Sequence, residues 1–384
     1  MFYEDVPHMN SRERVERAIS HRESDRVPVD FGGCVVTSID QDAHMRLAEH
    51  LGFSCGKRKI IDYTMGTVEP AEEIMRFFHS DVRRVGMNVS VPDFKGDTYY
   101  NGFGVLHRKA SGHLYYDVIE NPLRDYDLDE LVHMQMPDPD NPALYHGLAN
   151  KAKELYNNSE YAIFADFGVP GFFETCQKLR GYEQFACDLL LEPELVKALF
   201  DRLLELQKRF FKNYLSHVGR YAVAVGYADD LGMQDRPQIS PEIYRNIIKP
   251  YHKEIFRYIH DISDVKIMLH SCGAIIPLMD DLLDAGVDIF NPVQTAAAGM
   301  DPAILKARFG KNVVFWGGID EQMLLPYGTP EEIRDGVRSV LQALGEGGGY
   351  VAAVSHNIQS DTPPENIEVC FEALQSEQER KQPR

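Results

Sequence analysis

The chain has 384 residues, 44% hydrophobic and 26% charged, an ordinary globular composition that excludes disordered and collagen-like classes. Lys plus Arg is 40 and Asp plus Glu is 59, a formal net charge of −19, so no nucleic-acid partner is expected. No apolar run approaches the roughly 20 residues that cross a bilayer, and Met1 to His8 lack the basic-then-apolar layout of an export signal, so no membrane partner and a cytoplasmic location are expected.

Asn10 followed by Glu13 reads as the capped start of a helix with Val15, Ala18 and Ile19 on one face. The apolar run Val27 to Phe31, closed by Gly32 and Gly33, reads as a first strand. Seven more strands are expected at 81–89, 162–167, 222–230, 266–273, 288–294, 313–320 and 350–357. Helical patterns fall between most of them, at 38–52, 70–79, 142–157, 193–217, 241–261, 275–285, 301–309 and 330–345. Strand–helix alternation implies parallel strands joined by crossover helices. Eight such units predict an α/β chain folded as one (β/α)8 TIM barrel over 1–384, with an open doubly wound sheet as the alternative. Residues 91–140 break the pattern. Asn101-Gly102 and Ser111-Gly112 mark an inserted β-hairpin region at the site face, closed as a loop by Pro137, Pro139 and Pro142. The polar tail from Gln375 to Arg384 is expected to fray.

Polar residues gather at the C-terminal ends of the expected strands, where a barrel builds its active site: Asn88, Asp166, Asp229, Asp230, His270, Cys272, Asn291, Gln294, Asp320, His356 and Asn357. His270 and Cys272 are two apart in a strand and project from one face, and imidazole with thiolate is a zinc-binding pair. His356 is the candidate third metal ligand. Asp229 and Asp230 are the candidate catalytic carboxylates; strand parity aims one of them at the site and leaves open which. Phe167, Tyr227 and Trp316, with Gln234, Asn291, Gln294 and Asp320, are candidate substrate-binding residues. No P-loop, G-x-S-x-G or G-x-G-x-x-G motif occurs. The cysteines Cys34, Cys55, Cys176, Cys187, Cys272 and Cys370 form no C-x-x-C pair and read as reduced thiols.

These residues resemble the uroporphyrinogen decarboxylase superfamily, especially its cobalamin-dependent methyltransferase branch. The matching segments are Ser11-Arg-Glu-Arg-Val, Asp25-Arg-Val-Pro-Val, Ala228-Asp-Asp-Leu-Gly-Met-Gln, His270-Ser-Cys-Gly, Ala285-Gly-Val-Asp-Ile-Phe-Asn-Pro-Val-Gln, Phe315-Trp-Gly-Gly-Ile-Asp, Gly348-Gly-Tyr, His356-Asn-Ile-Gln and Pro363-Pro-Glu-Asn-Ile. The decarboxylases' Arg-Gln-Ala-Gly-Arg motif is replaced here by Val29-Asp-Phe-Gly-Gly-Cys, and an Asp there argues against a carboxylate-rich tetrapyrrole. The resemblance implies a zinc enzyme, with His356 standing where the methyltransferases carry a later Cys. It also implies a corrinoid (cobalamin) carried by a partner protein and a small-molecule methyl donor or acceptor. The expected reaction is O-demethylation of a methoxylated compound. The alternatives are a metal-independent decarboxylase of a porphyrin-like or other acid, and a non-catalytic corrinoid- or tetrapyrrole-binding protein.

Overall fold

A computed structural model of the chain describes residues 9–54 and 56–379. Met1 to His8, Cys55 and residues 380–384 lie outside them. Seven parallel strands form one continuous sheet: β2 (Val82–Gly86), β3 (Ala162–Asp166), β4 (Ala224–Ala228), β5 (Lys266–His270), β6 (Ile289–Asn291), β7 (Val314–Trp316) and β8 (Tyr350–Val351), each paired with the next in chain order. Residues 28–31 act as β1 and close the ring. On one side Asp30 N donates to Ala352 O and Ala352 N to Pro28 O, both at 2.8 Å; on the other Asp81 N donates to Val29 O at 2.7 Å. The closed ring replaces the open-sheet alternative.

Alternation along each strand sorts its side chains. Val82, Phe164, Ala224, Met268, Ile289, Val314, Trp316 and Val351 belong to one buried cluster, the barrel interior, while Ile163, Val225, Tyr227, Ile267, Leu269 and Phe315 pack with the surrounding helices. Gly226 falls on an inward position, where an added Cβ would stand 3.3 Å from the Phe164 ring. The helix Ser11–Ile19 adds Val15, Ala18 and Ile19 to the interior cluster. Asn10 and Glu13 form the expected capping box, with Glu13 N donating to Asn10 Oδ1 at 2.9 Å.

Several expected boundaries move. The strand expected to 320 ends at Trp316, because Gly317 and Gly318 take φ of 99° and 113°, outside any strand. The strand expected to 357 ends its ladder at Val351, with isolated parallel bridges at Ala352 and Val354, so His356 sits on a bend beyond it. Helices Phe172–Arg180 and Tyr182–Leu191 follow β3 and were not anticipated. The tail does not fray at Gln375: helix Pro364–Glu379 runs through it, with Cys370, Phe371 and Leu374 buried and Phe371 stacked 4.4 Å from Phe78. Within 91–140, Thr98–Tyr100, Leu106–Arg108 and Asp117–Glu120 form a three-stranded antiparallel sheet. Among the described residues no helix is long and apolar enough to cross a membrane.

Candidate metal centre

His270 is the last residue of β5 and, like Met268, faces inward. Its Nδ1 lies 2.5 Å from Asn291 Oδ1, on the neighbouring strand. Asn291 Nδ2 donates to Trp316 O at 2.9 Å, which turns its Oδ1 towards the imidazole. A carbonyl oxygen only accepts, so Nδ1 carries the proton and Nε2 keeps a free lone pair. That lone pair faces Cys272 Sγ at 3.4 Å. Cys272 is held in turn by its backbone N–H, which donates to Asp230 Oδ1 at 2.8 Å. The His356 ring stands 5.3 Å from that of His270, and one ligand atom from each of His270, Cys272 and His356 lies within 4.8 Å of the other two.

This donor set fits a zinc-sized ion. Tetrahedral ligands at ordinary Zn–N and Zn–S bond lengths stand about 3.5 Å apart, close to the His270–Cys272 spacing. Burial, and secondarily the neighbouring His270, push His356 down to about 4, so it is a neutral imidazole near pH 7, the form that binds a metal. Burial first, then Asp230 and Glu321, push the Cys272 thiol well up; a bound cation reverses that and draws out the thiolate. Asn291, expected among the substrate-binding residues, holds the His270 ring through Nδ1. Asn291→Ala is expected to weaken zinc affinity by about 10–100-fold with little change in fold, measured by competition with a chromogenic chelator.

The two carboxylates part company as parity requires. Asp230 faces the centre. Asp229 faces out, fully buried: its Oδ2 accepts from Phe173 N at 3.1 Å and pairs with His252 Nε2 at 2.9 Å, and its Oδ1 accepts from Glu174 N at 2.8 Å. It therefore caps helix Phe172–Arg180 and does not reach the site. Outward parity also removes two aromatic candidates. Phe167 stacks on Phe211 at 3.8 Å, and Tyr227 donates to Gln207 Oε1 at 3.1 Å and packs edge-on against Phe256. Trp316 faces in but lies fully buried beneath the site, its Nε1 donating to Asp30 Oδ2 at 2.8 Å. Asp320 is spent on a turn, accepting from Gln322 N at 2.8 Å and Met323 N at 3.3 Å.

Gln234 and Gln294 do line the site. Gln294 Oε1 accepts from Gly273 N at 2.7 Å, and its Nε2 reaches Gln322 Oε1 at 3.1 Å and Gln234 Oε1 at 3.3 Å. They wall a cavity of about 530 Å³ that also meets Asp230, Cys272 and His356. Sequence reasoning missed Tyr115 and Glu321 in this wall. Tyr115 comes from the inserted region and lays its ring 6.5 Å from that of His356, its hydroxyl bonded to Gln359 and 3.3 Å from Asn357 Oδ1. Glu321 is buried, which pushes its carboxyl up to about 7 against the opposing pull of its own N–H, the His356 N–H and the Ser355 hydroxyl. For Glu321 the adjoining Asp320 was a weak signal; nothing local marks Tyr115. A second cavity, about 730 Å³, lies over the ends of β2 and β3 beside the inserted sheet, and its two cations are paired: Arg84 with Asp166 and Lys178 with Glu174.

Residues 117–376 match the profile of the uroporphyrinogen decarboxylase (URO-D) family. The chain belongs to that family. The URO-D match takes in Asp230, His270, Cys272, Glu321 and His356. A uroporphyrinogen decarboxylase of Psychromonas ingrahamii is 27% identical over 259 residues, 65% of this chain and 67% of that relative. One from Pseudoalteromonas atlantica is 32% identical over 132 residues, 33% of this chain and 36% of that relative. The matches thus span two thirds of the first relative's length and about a third of the second's. A methyltransferase from Methanosarcina mazei has the same fold, with a TM-score of 0.69 at 17% identity over 96% of this chain and 99% of that one.

Proposed function

We propose that this URO-D family member is a zinc-dependent methyltransferase that moves a methyl group from a small methoxylated donor to the cobalt of a corrinoid protein. The observation that carries the reading is the convergence of His270, Cys272 and His356 at the barrel mouth, with Asn291 fixing the His270 tautomer. When bound there, zinc supplies a Lewis acid that polarises a donor oxygen. The chain's own residues do the rest. Asn291 and Asp230 hold two ligands in place, burial keeps His356 neutral, and Tyr115 with Gln359 walls the cavity beside His356. Gln234, Gln294 and Gln322 present amides to the donor. The rim carries Leu114 and Met233, 38% and 48% exposed, an apolar edge suited to a docked corrinoid protein. In the net reaction the methyl–oxygen bond breaks, the methyl passes to cobalt(I), and the alcohol product takes up a proton.

The ligand set also bears on direction. One thiolate with two imidazoles leaves the metal less electron-rich than two thiolates, which favours polarising an oxygen over presenting a thiolate acceptor. His356→Cys is therefore expected to keep zinc but demethylate more slowly, by about tenfold, and His356→Ala to lose both zinc and turnover. Zinc analysis beside single-turnover kinetics checks this; normal zinc and rate in His356→Ala would remove His356 from the centre.

A second reading, metal-independent decarboxylation, is favoured by the likeness to uroporphyrinogen decarboxylases. Against it, among the described residues the cavity at the centre has no Lys or Arg in its wall, and both cations of the larger cavity are already paired. A carboxylate-rich substrate needs free cations. The deciding experiment incubates zinc-loaded and metal-stripped protein with cob(I)alamin and a panel of methoxylated donors, and separately with uroporphyrinogen. Methylcobalamin formed by the loaded protein alone is expected; decarboxylation by the stripped protein would favour the second reading.

A further inference from the structure

The larger cavity, over the ends of β2 and β3, shares no wall residue with the one at the metal cluster. Its volume of about 730 Å³ falls within the roughly 300–1,000 Å³ of small-molecule sites. Tyr63, Tyr99, Tyr100, Phe103 and Phe210 bring rings to its wall. Arg84 meets it from the barrel side, on the inward face of β2 that it shares with Val82. The Arg84 side chain is 4% exposed, and Asp166 accepts from its Nε alone. Among the described residues neither terminal nitrogen, Nη1 or Nη2, has a hydrogen-bond partner, and neither is sealed, so both open on the cavity. Gly86 makes room for them, since a Cβ there would overlap Nη2. The two terminal nitrogens carry four charge-assisted donors, which a dry ligand site leaves unpaired at a cost.

Charge decides what those donors fit. Arg84 is offset by Asp166 and Lys178 by Glu174, and Asp62 adds another carboxylate to the wall, so no surplus of positive charge faces the cavity. A carboxylate ligand would share this wall with Asp62 and Asp166 and be repelled by both. A carbonyl oxygen offers two lone pairs to the same N–H groups and brings no ionic charge. We propose that this cavity is a second ligand site, and that it takes a neutral aromatic compound whose carbonyl oxygen accepts from the terminal N–H groups of Arg84 while its rings lie among the tyrosine and phenylalanine side chains. The inference depends neither on methyl transfer nor on zinc.

The test is equilibrium dialysis of three probes of similar shape, 2-acetylnaphthalene, 2-isopropylnaphthalene and 2-naphthoate, each in trace amount against the protein as purified at up to about 1 mM. The ketone is expected to bind at least about tenfold more tightly than the carboxylate. Arg84→Lys keeps a cation against Asp166 but removes the fork, and is expected to weaken the ketone by at least about tenfold and the hydrocarbon by less than about threefold. Gly168 lines the cavity at a point where an added Cβ meets no atom within 4 Å, so Gly168→Phe fills the space without a clash and is expected to weaken both by at least about tenfold. If Arg84→Lys does not fold, the infrared carbonyl stretch of the ketone bound to the parent takes its place; a frequency below that in water is expected, because a guanidinium donates more strongly than water. Tighter binding of the carboxylate overturns the proposal. So does ketone affinity unchanged in folded Arg84→Lys or in folded Gly168→Phe, a carbonyl frequency at or above that in water, or no ketone binding at about 1 mM protein.

Discussion

Cys272→Ala is expected to retain less than about a tenth of the zinc bound by the parent and to lose methyl transfer by at least about 10³-fold, or about 4 kcal/mol of transition-state stabilisation. Cys272 contributes the sole sulfur of the cluster, and without it His270 and His356 are left as two neutral nitrogens. Two imidazoles without a thiolate hold zinc weakly. The loss is not expected to extend to the fold. Cys272 is half-buried in a cavity wall, where a missing sulfur leaves no closed void in the core. Thermal melting in the presence of a chelator should therefore give midpoints for variant and parent within a few degrees. Full zinc occupancy in folded Cys272→Ala would exclude the thiol as a ligand.

The adjacent carboxylates are expected to fail in opposite ways. Asp229→Ala removes the buried acceptor of Phe173 N, Glu174 N and His252 Nε2, leaving three polar groups without a partner. Its cost is about 3–5 kcal/mol in urea unfolding, since each buried donor left without an acceptor costs about 1–3 kcal/mol. Asp230→Asn keeps the volume and an oxygen for Cys272 N, so stability should change by less than about 1 kcal/mol. Zinc affinity and turnover should fall by about 10–100-fold, since the amide no longer supplies negative charge beside the ligand. Equal stability losses from the two substitutions would contradict the division of roles that β4 imposes.

Much of this was legible in the chain because strand parity is strict. Met268, His270 and Cys272 share one face, and so do Ala224, Gly226, Ala228 and Asp230, so the inward set follows once a single inward residue is known. The same rule places Phe167, Tyr227 and Asp229 outward; polarity and aromaticity at strand ends suggested otherwise because they say nothing about face. Trp316 has the right parity and the wrong depth, a distinction that depends on where Gly317 and Gly318 end the strand. His356 was reached through its place after the last strand, although the strand stops earlier and a bend carries the ring to His270. Glu321 and Tyr115 lie on irregular backbone, where no periodicity fixes direction. Tyr115 meets Gln359 across 244 positions of sequence, a contact that only the folded barrel creates.

The most direct measurement is zinc K-edge X-ray absorption on the full-length protein as purified. A ligand shell with one sulfur at about 2.3 Å and two imidazole nitrogens at about 2.0–2.1 Å is predicted, the sulfur vanishing in Cys272→Ala and one nitrogen giving way to a second sulfur in His356→Cys. Protein that binds no stoichiometric zinc, or zinc whose shell lacks sulfur, would contradict a metal centre built from His270, Cys272 and His356.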